Sequence, residues 1–456
     1  MIPIHSFKRP SRQHGAAALA VALLMLFGIT LVAFFANRSM IFEQRTSANQ
    51  YRSTRAFEAA EAGLEWAVAR LNDDKKMVVA PSCAISGTLV QSYADRYLPL
   101  GASGFTGLAT TAGASTNIRS GCSISATTGA TTCSCPTTTA GLALGAAGDA
   151  RFTVEFIQVA ADPWSVRVYS YGCTNQGTYC EPSNSSTPDA VAVVSAIYKM
   201  KPAFPNAPGA GLVTGAATVT GGNLNVVNLD VASNGITINS GTTVELGSGT
   251  NVTTLPGTPG RASVLDNDPS LAALTAADAT GDIFFSSFFG ETISAYQNNP
   301  KTWIITSGSC GTNTRCSPSC GNAASCGTAI STAYNNGYTK FWTDTDVAFS
   351  NNLPAVGTLG TATDPIMIAS SASVELKANL TAYGMFYAAT ATVDDLWDYT
   401  GSGTAKVYGA FVSRGAFNKG SGTLDLIYDA NIFKPENTRG LMVRVPGSWR
   451  DKLSDY

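Results

Sequence analysis

The chain has 456 residues, of which only 13% are charged, and its formal net charge is -2 at pH 7. This length provides enough material for two or three domains with packed cores. The low charge density excludes the strongly basic surface that nucleic-acid binding requires, so no nucleic-acid partner is predicted.

The N-terminus combines a basic leader with an apolar helix. Lys8, Arg9 and Arg12 lie in the leader, which ends at Gly15, and residues 16–36 contain no charge. At about 1.5 Å per residue, such a helix matches the hydrocarbon core of a bilayer. The positive charges before the span predict that the leader stays in the cytoplasm and that the chain after Asn37 is exported.

The helical pattern continues beyond the membrane, so one long helix is predicted over residues 16–72. This extension has an apolar stripe and an acidic stripe, each at spacings of three and four residues. The apolar stripe contains Phe57, Ala60, Leu64, Val68 and Leu71, and the acidic stripe contains Glu58, Glu61 and Glu65.

A basic leader, a glycine, an apolar helix and an amphipathic continuation are typical of a type IV pilin. The stretch from Glu43 through Asn49 to the AFEAAEAGL segment resembles the N-terminal region of the PilX family of minor pilins. The resemblance implies cleavage after Gly15 by a prepilin peptidase and N-methylation of Ala16. It also implies a single-pass precursor in the inner membrane with its C-terminal region in the periplasm. Assembly with other minor pilins and the major pilin through the pilus machinery would then place the mature subunit at the cell surface.

Ala20 is the fifth residue after the proposed cleavage site, where most major pilins carry a glutamate. A carboxylate there is costly in the membrane, and it is tolerated because it pairs with the N-terminus of the neighbouring subunit. PilX-like proteins commonly lack this acid. Its absence suggests a subunit with no neighbour above it, and therefore a position at or near the tip of the pilus.

The ten cysteines fall into two clusters of even size. The clusters are Cys83, Cys122, Cys133, Cys135, Cys173 and Cys180, followed by Cys310, Cys316, Cys320 and Cys326. The predicted oxidising compartment favours disulfides within each cluster. A zinc site is the alternative for the second cluster, although its spacings contain no CxxC pair. Cys133 and Cys135 are too close to pair comfortably with each other, so each is expected to bond elsewhere.

Residues 73–200 are predicted to form a pilin-like globular head with disulfide-held loops. The region from about 81 to 148 reads as long surface loops, because it is dense in Ala, Gly, Ser and Thr and has little apolar periodicity. Three alternating segments follow, beginning near Phe152, Trp164 and Ala190, and they predict an antiparallel sheet packed on the long helix.

A proline-rich linker is predicted at residues 201–211, before a β-rich C-terminal domain over 212–456. Short strands between Gly and Asn turns suggest a β-solenoid, with a sandwich as the alternative. A helical insertion is expected from Ser263 to about Asn299, because Asp268 and Pro269 form a helix start signal. The predicted fold class is α+β: a pilin helix on a small antiparallel sheet, followed by this mostly β domain.

The sequence lacks most of the residues that enzymes commonly use for catalysis. Both histidines, His5 and His14, precede Gly15, which excludes histidine-dependent catalysis and metal binding in the mature chain. Five clustered aspartates could act as acid and base in glycoside hydrolysis. We prefer the alternative that they lie in turns, where aspartate caps backbone N–H groups. The acids are Asp344, Asp346, Asp394, Asp395 and Asp398. We therefore predict that the protein is not an enzyme and has no catalytic residue, resident metal or cofactor.

Two binding roles remain open for the β-rich domain. The oxygen ligands of Asp266, Asn267 and Asp268 are compatible with calcium, but they match no EF-hand loop. An aromatic set suggests adhesion to an extracellular receptor or glycan, or otherwise a packed core. The set consists of Trp342, Tyr383, Phe386, Tyr387, Trp397 and Tyr399.

The sequence as a whole predicts a minor pilin that helps to initiate or cap the type IV pilus by binding, with a possible adhesive role. The alternatives are a pseudopilin of a type II secretion system and a surface adhesin held permanently by its N-terminal helix. Both alternatives also have the apolar helix. The surface adhesin would differ from the two pilin-like proteins in keeping its leader, residues 1–15.

Overall fold

The structure is a computed structural model. It describes residues 14–73, 83, 92–114, 116–125, 127–136, 150–174, 180, 190–318, 320–349, 357–376, 379–390, 397–398, 404–419, 422–435 and 437–451. Residues 1–13 of the predicted leader therefore lie outside the described residues.

Helix α1 (His14–Leu71) is a single uninterrupted helix of 58 residues, as the apolar and amphipathic patterns predict. Its length corresponds to about 87 Å. No proline interrupts it, and its N-terminal part projects away from the rest of the protein while its C-terminal part packs on a sheet. The N-terminal part of α1 is therefore an exposed apolar rod that continues directly into the part packed on the folded head.

The head contains short helix α2 (Tyr93–Tyr97), a small hairpin and a larger antiparallel sheet. Its strands are β1 (Leu100–Gly101), β2 (Gly104–Phe105), β3 (Ser120–Ile124), β4 (Thr131–Ser134), β5 (Ala150–Gln158), β6 (Ser165–Thr174) and β7 (Ala190–Lys201). The three predicted strands are β5, β6 and β7. The structure adds β3 and β4 to them, so part of the region interpreted as surface loops is ordered sheet.

The last strand of the chain, β27 (Leu441–Arg444), also belongs to the head. It pairs antiparallel with β7, and the six-stranded sheet has the order β27-β7-β6-β5-β3-β4. The predicted C-terminal domain over 212–456 is thus too long, because its final segment returns to the head. The β-rich domain is an insertion between two neighbouring strands of the head sheet.

The inserted domain consists of short parallel strands. They are β8 (Leu212–Thr214), β9 (Thr218–Thr220), β10 (Asn223–Val227), β11 (Ile238–Ser240), β12 (Val244–Leu246), β13 (Thr250–Thr253), β14 (Val264–Leu265), β15 (Thr302–Thr306), β16 (Cys316–Pro318), β17 (Lys340–Thr343), β18 (Val347–Phe349), β19 (Thr358–Leu359), β20 (Ile366–Ser370), β21 (Val374–Leu376), β22 (Thr381–Ala388), β23 (Trp397–Asp398), β24 (Thr404–Ser413), β25 (Phe417–Lys419) and β26 (Thr423–Ile427). The pairings among these described strands are parallel, in one 13-stranded and two three-stranded sheets.

The order of the strands brings the two ends of the inserted domain together. Its first strands, β8 and β10, pair with its last long strands, β24 and β26. Because the chain enters and leaves the domain at one place, the domain can be inserted between β7 and β27 without disturbing their pairing.

Helices cover one face of the large sheet and one end of the inserted domain. The predicted helical insertion is present as α3 (Pro269–Ala276), α4 (Asp282–Phe289) and α5 (Ile293–Asn298), and Asp268 caps α3. Short 3-10 turns occur at Gly260–Ser263 and Ala430–Phe433. Helix α6 (Ala323–Asn335), which begins inside the second cysteine cluster and contains Cys326, was not predicted from the sequence.

The predicted linker is packed rather than free. Phe204 is buried with its ring 5.4 Å from Phe289 and 5.5 Å from Phe433, and Ala210 is fully buried. The hydroxyl of Tyr428 donates to the carbonyl of Pro208 at 2.6 Å. Ala203, Phe204 and Ala210 therefore belong to the core between the large sheet and α4, whereas residues 205–207 and 209 are exposed.

Candidate assembly site

The N-terminal half of α1 exposes apolar side chains along its whole length. Residues 17–54 are all exposed, and Leu24 and Phe42 each expose 72% of their surface. The helix over Ala17–Leu71 is long and apolar enough to span a bilayer, with a mean hydropathy of 2.7 in its most apolar window. A continuous apolar surface of this kind needs lipid or another protein around it.

The C-terminal half of α1 packs closely on the head sheet because small residues line its inner face. Ala56, Ala60 and Ala67 are buried there together with Leu64 and Leu71. These positions recur at spacings of three and four, so they form one face of the helix.

Gly172 on β6 allows the closest approach between the sheet and α1. A Cβ atom at this position would lie 2.0 Å from the carbonyl oxygen of Ala56 and 2.4 Å from the amide nitrogen of Ala60. Both are backbone atoms, so no side-chain rotation would relieve the overlap. The seating of α1 on the head depends on the absence of a side chain here.

The C-terminal segment of the chain also holds α1. The indole Nε1 of Trp449 donates to Oε1 of Glu61 at 2.9 Å, and Trp449 packs against the head core. The backbone of Arg450 exchanges hydrogen bonds of 2.8 Å with Ser195 on β7. Helix α1 is therefore held by a residue that follows the inserted domain in sequence, and the backbone next to that residue is bonded to β7, which precedes the domain.

A buried carboxylate organises the second face of the head sheet. Glu155 on β5 is fully buried and accepts hydrogen bonds from Gly113 N at 2.7 Å and from Asn117 Nδ2 and Arg119 Nε at 3.0 Å each. The hydroxyl of Tyr171 is a further donor to it. Burial, together with the charge of Glu155, raises the pKa of Tyr171 well above its ordinary value, so its hydroxyl stays protonated and continues to donate.

The residues that the sequence analysis assigned to processing lie in the first turns of α1. His14 begins the helix, and Gly15, Ala16 and Ala20 follow it. Ala20 is in the exposed region, where its methyl group offers no charge to a neighbouring subunit.

The ten cysteines form five disulfides, each within its own cluster. The pairs are Cys83–Cys135, Cys122–Cys133, Cys173–Cys180, Cys310–Cys316 and Cys320–Cys326. In the second cluster, the four thiols that the zinc alternative needed are paired with each other. Cys133 and Cys135 bond to different partners, as their spacing suggested.

The two acids of this set whose side chains are described accept hydrogen bonds from segments distant in sequence. Oδ2 of Asp344 accepts from the hydroxyl of Thr306 at 2.8 Å, and Asp346 accepts from the amide of Ser373 at 3.1 Å. Asp394 and Asp395 lie outside the described residues, and Asp398 is placed by its backbone in β23.

The three residues considered for calcium have separate roles. Asp266 forms an ion pair of 2.8 Å with Arg261, Asn267 adopts a positive φ of 55°, and Asp268 caps α3 through the amide of Ser270. Each feature accounts for a turn or a helix start.

Of the four residues of the aromatic set whose side chains are described, three are buried. Trp342, Phe386 and Tyr387 are buried, and Tyr383 is half-buried and stacked on Tyr408 with 4.8 Å between ring centroids. Trp397 is placed by its backbone in β23, and Tyr399 lies outside the described residues.

The structure also reveals polar groups that the sequence analysis missed. Asp278 is buried and accepts from Gly281 N at 2.7 Å and Phe284 N at 2.9 Å, while the guanidinium of Arg414 donates to its backbone carbonyl. Burial raises the pKa of Asp278, but the two amide hydrogen bonds and the charge of Arg414 lower it more, so its pKa lies below the ordinary value. The sequence signal was the DATGD turn before an apolar helix.

Comparison with known proteins gives three results. Residues 14–65 match the family model described as PilX N-terminal. A solved structure, the competence-associated pilin ComZ from Thermus thermophilus, is similar with a TM-score of 0.20 and 12% identity, covering 88% of this chain and 97% of that chain. No curated protein matches.

Proposed function

We propose that this chain, which is PilX-like over its N-terminal region, is a minor pilin that helps to initiate or cap the type IV pilus. The observation that carries the proposal is the exposed apolar half of α1, continuous with a half that is packed on the head. Lipid covers this rod in the precursor, and neighbouring pilin helices cover it in the fibre. The protein works by binding, not by catalysis.

A position at the tip is supported by where the inserted domain leaves the head. Ala192, near the start of β7, pairs with Gly172 of β6, which lies against Ala56 and Ala60 of α1. Lys201, at the end of β7, pairs with Leu441 near the end of α1. Strand β7 therefore runs in the same direction as α1, and the domain leaves at the end farthest from the membrane. At that end of the head, a domain of this size occupies the space that the next subunit of a fibre would need. The absence of a carboxylate at Ala20 also suggests a subunit with no neighbour above it.

We further propose that the inserted domain is a β-solenoid that meets an extracellular receptor. The parallel pairing in register across successive short strands supports this architecture. A large domain at the distal end is more than a fibre needs for its own cohesion, so an adhesive role accounts for its presence.

Processing tests the pilin proposal directly. Gly15→Leu should block cleavage after Gly15 and leave a larger precursor in the membrane, whereas Gly28→Leu, at a position with open space around it, should be processed normally. N-terminal sequencing should give N-methylated Ala16 in the wild-type protein. An intact Met1 in the working protein would favour the permanently anchored adhesin instead.

Locating the protein on the cell surface tests whether it lies at the pilus tip. The phenotype of a deletion strain tests whether it belongs to a type IV pilus or to a type II secretion system. Antibodies against the inserted domain should label the ends of sheared pili, and labelling along the shaft would contradict a tip position. Loss of surface pili in a deletion strain supports a pilus role. A secretion defect with normal pili would favour the type II pseudopilin.

A further inference from the structure

Three arginines form one row on the exposed half of α1. Arg38, Arg45 and Arg52 follow one another at intervals of seven residues, and all three are exposed. Positions seven apart nearly coincide around an α-helix, with a drift of only about 20° per heptad. The next position of the row is Ala59, which is buried where α1 packs on the head. The arginine row therefore lies on the side of α1 that the head covers, between the head and the membrane.

Lipid headgroups lie too close to the bilayer core to cover the whole row. The apolar span ends at residue 36, so at about 1.5 Å per residue Arg45 lies about 14 Å and Arg52 about 24 Å farther along the helix. The headgroup region on one side of a bilayer is only about 5–8 Å thick. Arg38 lies within this region, whereas Arg45 and Arg52 lie beyond it.

The face that carries the row also exposes large apolar side chains to water. Ile41 and Phe42 follow Arg38 by three and four residues, which places them between Arg38 and Arg45 on one face of the helix. They expose 50% and 72% of their surfaces, respectively. Apolar side chains flanked by charges are typical of the seam between two packed helices, where interhelical ion pairs determine partner and orientation. The face therefore fits a second helix better than it fits water.

A complementary row of this kind is present on the opposite side of α1. Tyr51, Glu58 and Glu65 also follow at intervals of seven residues and are exposed. Thirteen residues separate Arg45 from Glu58, which places the two rows about 140° apart around the helix. A pilin helix can therefore present carboxylates seven residues apart on the side that points away from its head.

We propose that the arginine row binds the helix of another pilin, on a face where that helix carries carboxylates seven residues apart. This inference rests on the proposed pilin function. Arginine and carboxylate pair through two parallel hydrogen bonds, so one ion pair per heptad fixes the axial register of the two helices. Because the row lies between the head and the membrane, the partner is a subunit nearer the cell, as a position at the tip requires.

A second copy of this chain is the competing partner, because it would offer Glu58 and Glu65 to the row. In a lower copy, however, the inserted domain leaves the end of the head farthest from the membrane, in the space that an upper copy would need. A different pilin without such a domain fits this position better.

Incorporation into pili tests the charge requirement. The triple variant Arg38→Glu/Arg45→Glu/Arg52→Glu should be processed after Gly15 and inserted normally, because fewer positive charges on the exported side do not oppose the predicted topology. Its amount in sheared pili should fall about tenfold or more, since acidic side chains would then face the acids of the partner. The corresponding triple lysine variant keeps the charge and should stay within about threefold of the wild type.

A control variant separates the row from net charge. Arg261→Glu/Lys406→Glu/Lys434→Glu makes the same change of charge at three exposed positions of the inserted domain, and its amount in pili should match the wild type. The melting temperature in detergent should be unchanged in both variants, which shows that the head is folded. Equal incorporation of both variants would overturn the proposal. Absence of the wild-type protein from sheared pili would instead contradict the pilin function itself.

Photo-cross-linking in intact pili identifies the partner. Asn49, four residues after Arg45 on the same face, is replaced by p-benzoylphenylalanine, and the cross-linked peptide is identified by mass spectrometry. We expect a helical segment of another pilin, within one turn of two carboxylates that are seven residues apart. A cross-link to Glu58 or Glu65 of a second copy, to lipid alone, or to a segment without such acids would overturn the proposal.

Discussion

Asn72, which directly follows the last turn of α1, binds the backbone of Met442 through two hydrogen bonds. Its Nδ2 donates to the carbonyl of Met442 at 3.0 Å, and its Oδ1 accepts from the amide of Met442 at 2.8 Å. On its other side, Met442 pairs with Met200 of β7. The assembly helix and the last strand are thus joined by one side chain although 370 residues separate them.

Asn72→Ala should loosen this closure. Each hydrogen bond contributes about 0.5–1.5 kcal/mol, so the free energy of unfolding should fall by about 1–3 kcal/mol, with faster proteolysis near the C-terminus. Urea denaturation and limited proteolysis measure the two effects. Asn298→Ala, which removes an exposed and local hydrogen bond, should cost less than about 0.5 kcal/mol. Equal losses in the two variants would show that the closure carries no stability.

Gly172→Ala should unseat α1 from the head. The added methyl group would overlap backbone atoms of Ala56 and Ala60, so either the helix or β6 must move, at a cost of about 1–3 kcal/mol or more. Gly209→Ala is the matched control, because open space surrounds that glycine. Thermal unfolding should show a clear drop for Gly172→Ala and little change for Gly209→Ala. A drop of equal size in both variants would contradict the close packing.

The sequence predicted α1 and the central strands of the head because their patterns are local. The charge-free run to residue 36, the stripe through Leu64 and the alternation around Phe152 each repeat with the period of one element. The disulfides within each cluster followed from the even numbers of cysteines. The N-terminal assembly surface was predictable for the same reason.

The remaining features depend on contacts distant in sequence. The alternation in β5 indicates an inward face with Phe152, Val154 and Phe156, but it does not reveal that Glu155 on the other face is covered by residues 109–114 and 116–119. Those residues are small and polar, so composition favoured an exposed loop. The return of β27 to the head was missed because four residues give too short a pattern to assign a partner strand.

Glu155→Gln tests the buried network that holds this covering segment. The substitution keeps the shape but removes the negative charge that lies 3.0 Å from buried Arg119, which should cost about 3–5 kcal/mol. Asp162→Asn is the control, since its ion pair with Lys199 is largely exposed and its loss should cost less than about 1 kcal/mol. Urea denaturation of both variants measures the difference. A small effect of Glu155→Gln would show that the segment folds over the sheet without the carboxylate.

Acid should weaken the attachment of α4 through Asp278. Because its pKa is lowered in the folded protein, the ionised carboxylate adds stability above its unfolded pKa of about 3.9, and this stability is lost as pH falls through the folded value. Asp278→Asn should therefore be less stable than the wild type at pH 7, and the gap should narrow steadily below about pH 4. Urea denaturation between neutral and acidic pH follows the gap, with Asp266→Asn, whose ion pair is exposed, as a control of small effect. A gap that stays constant over this pH range would mean that the charge of Asp278 does not stabilise the start of α4.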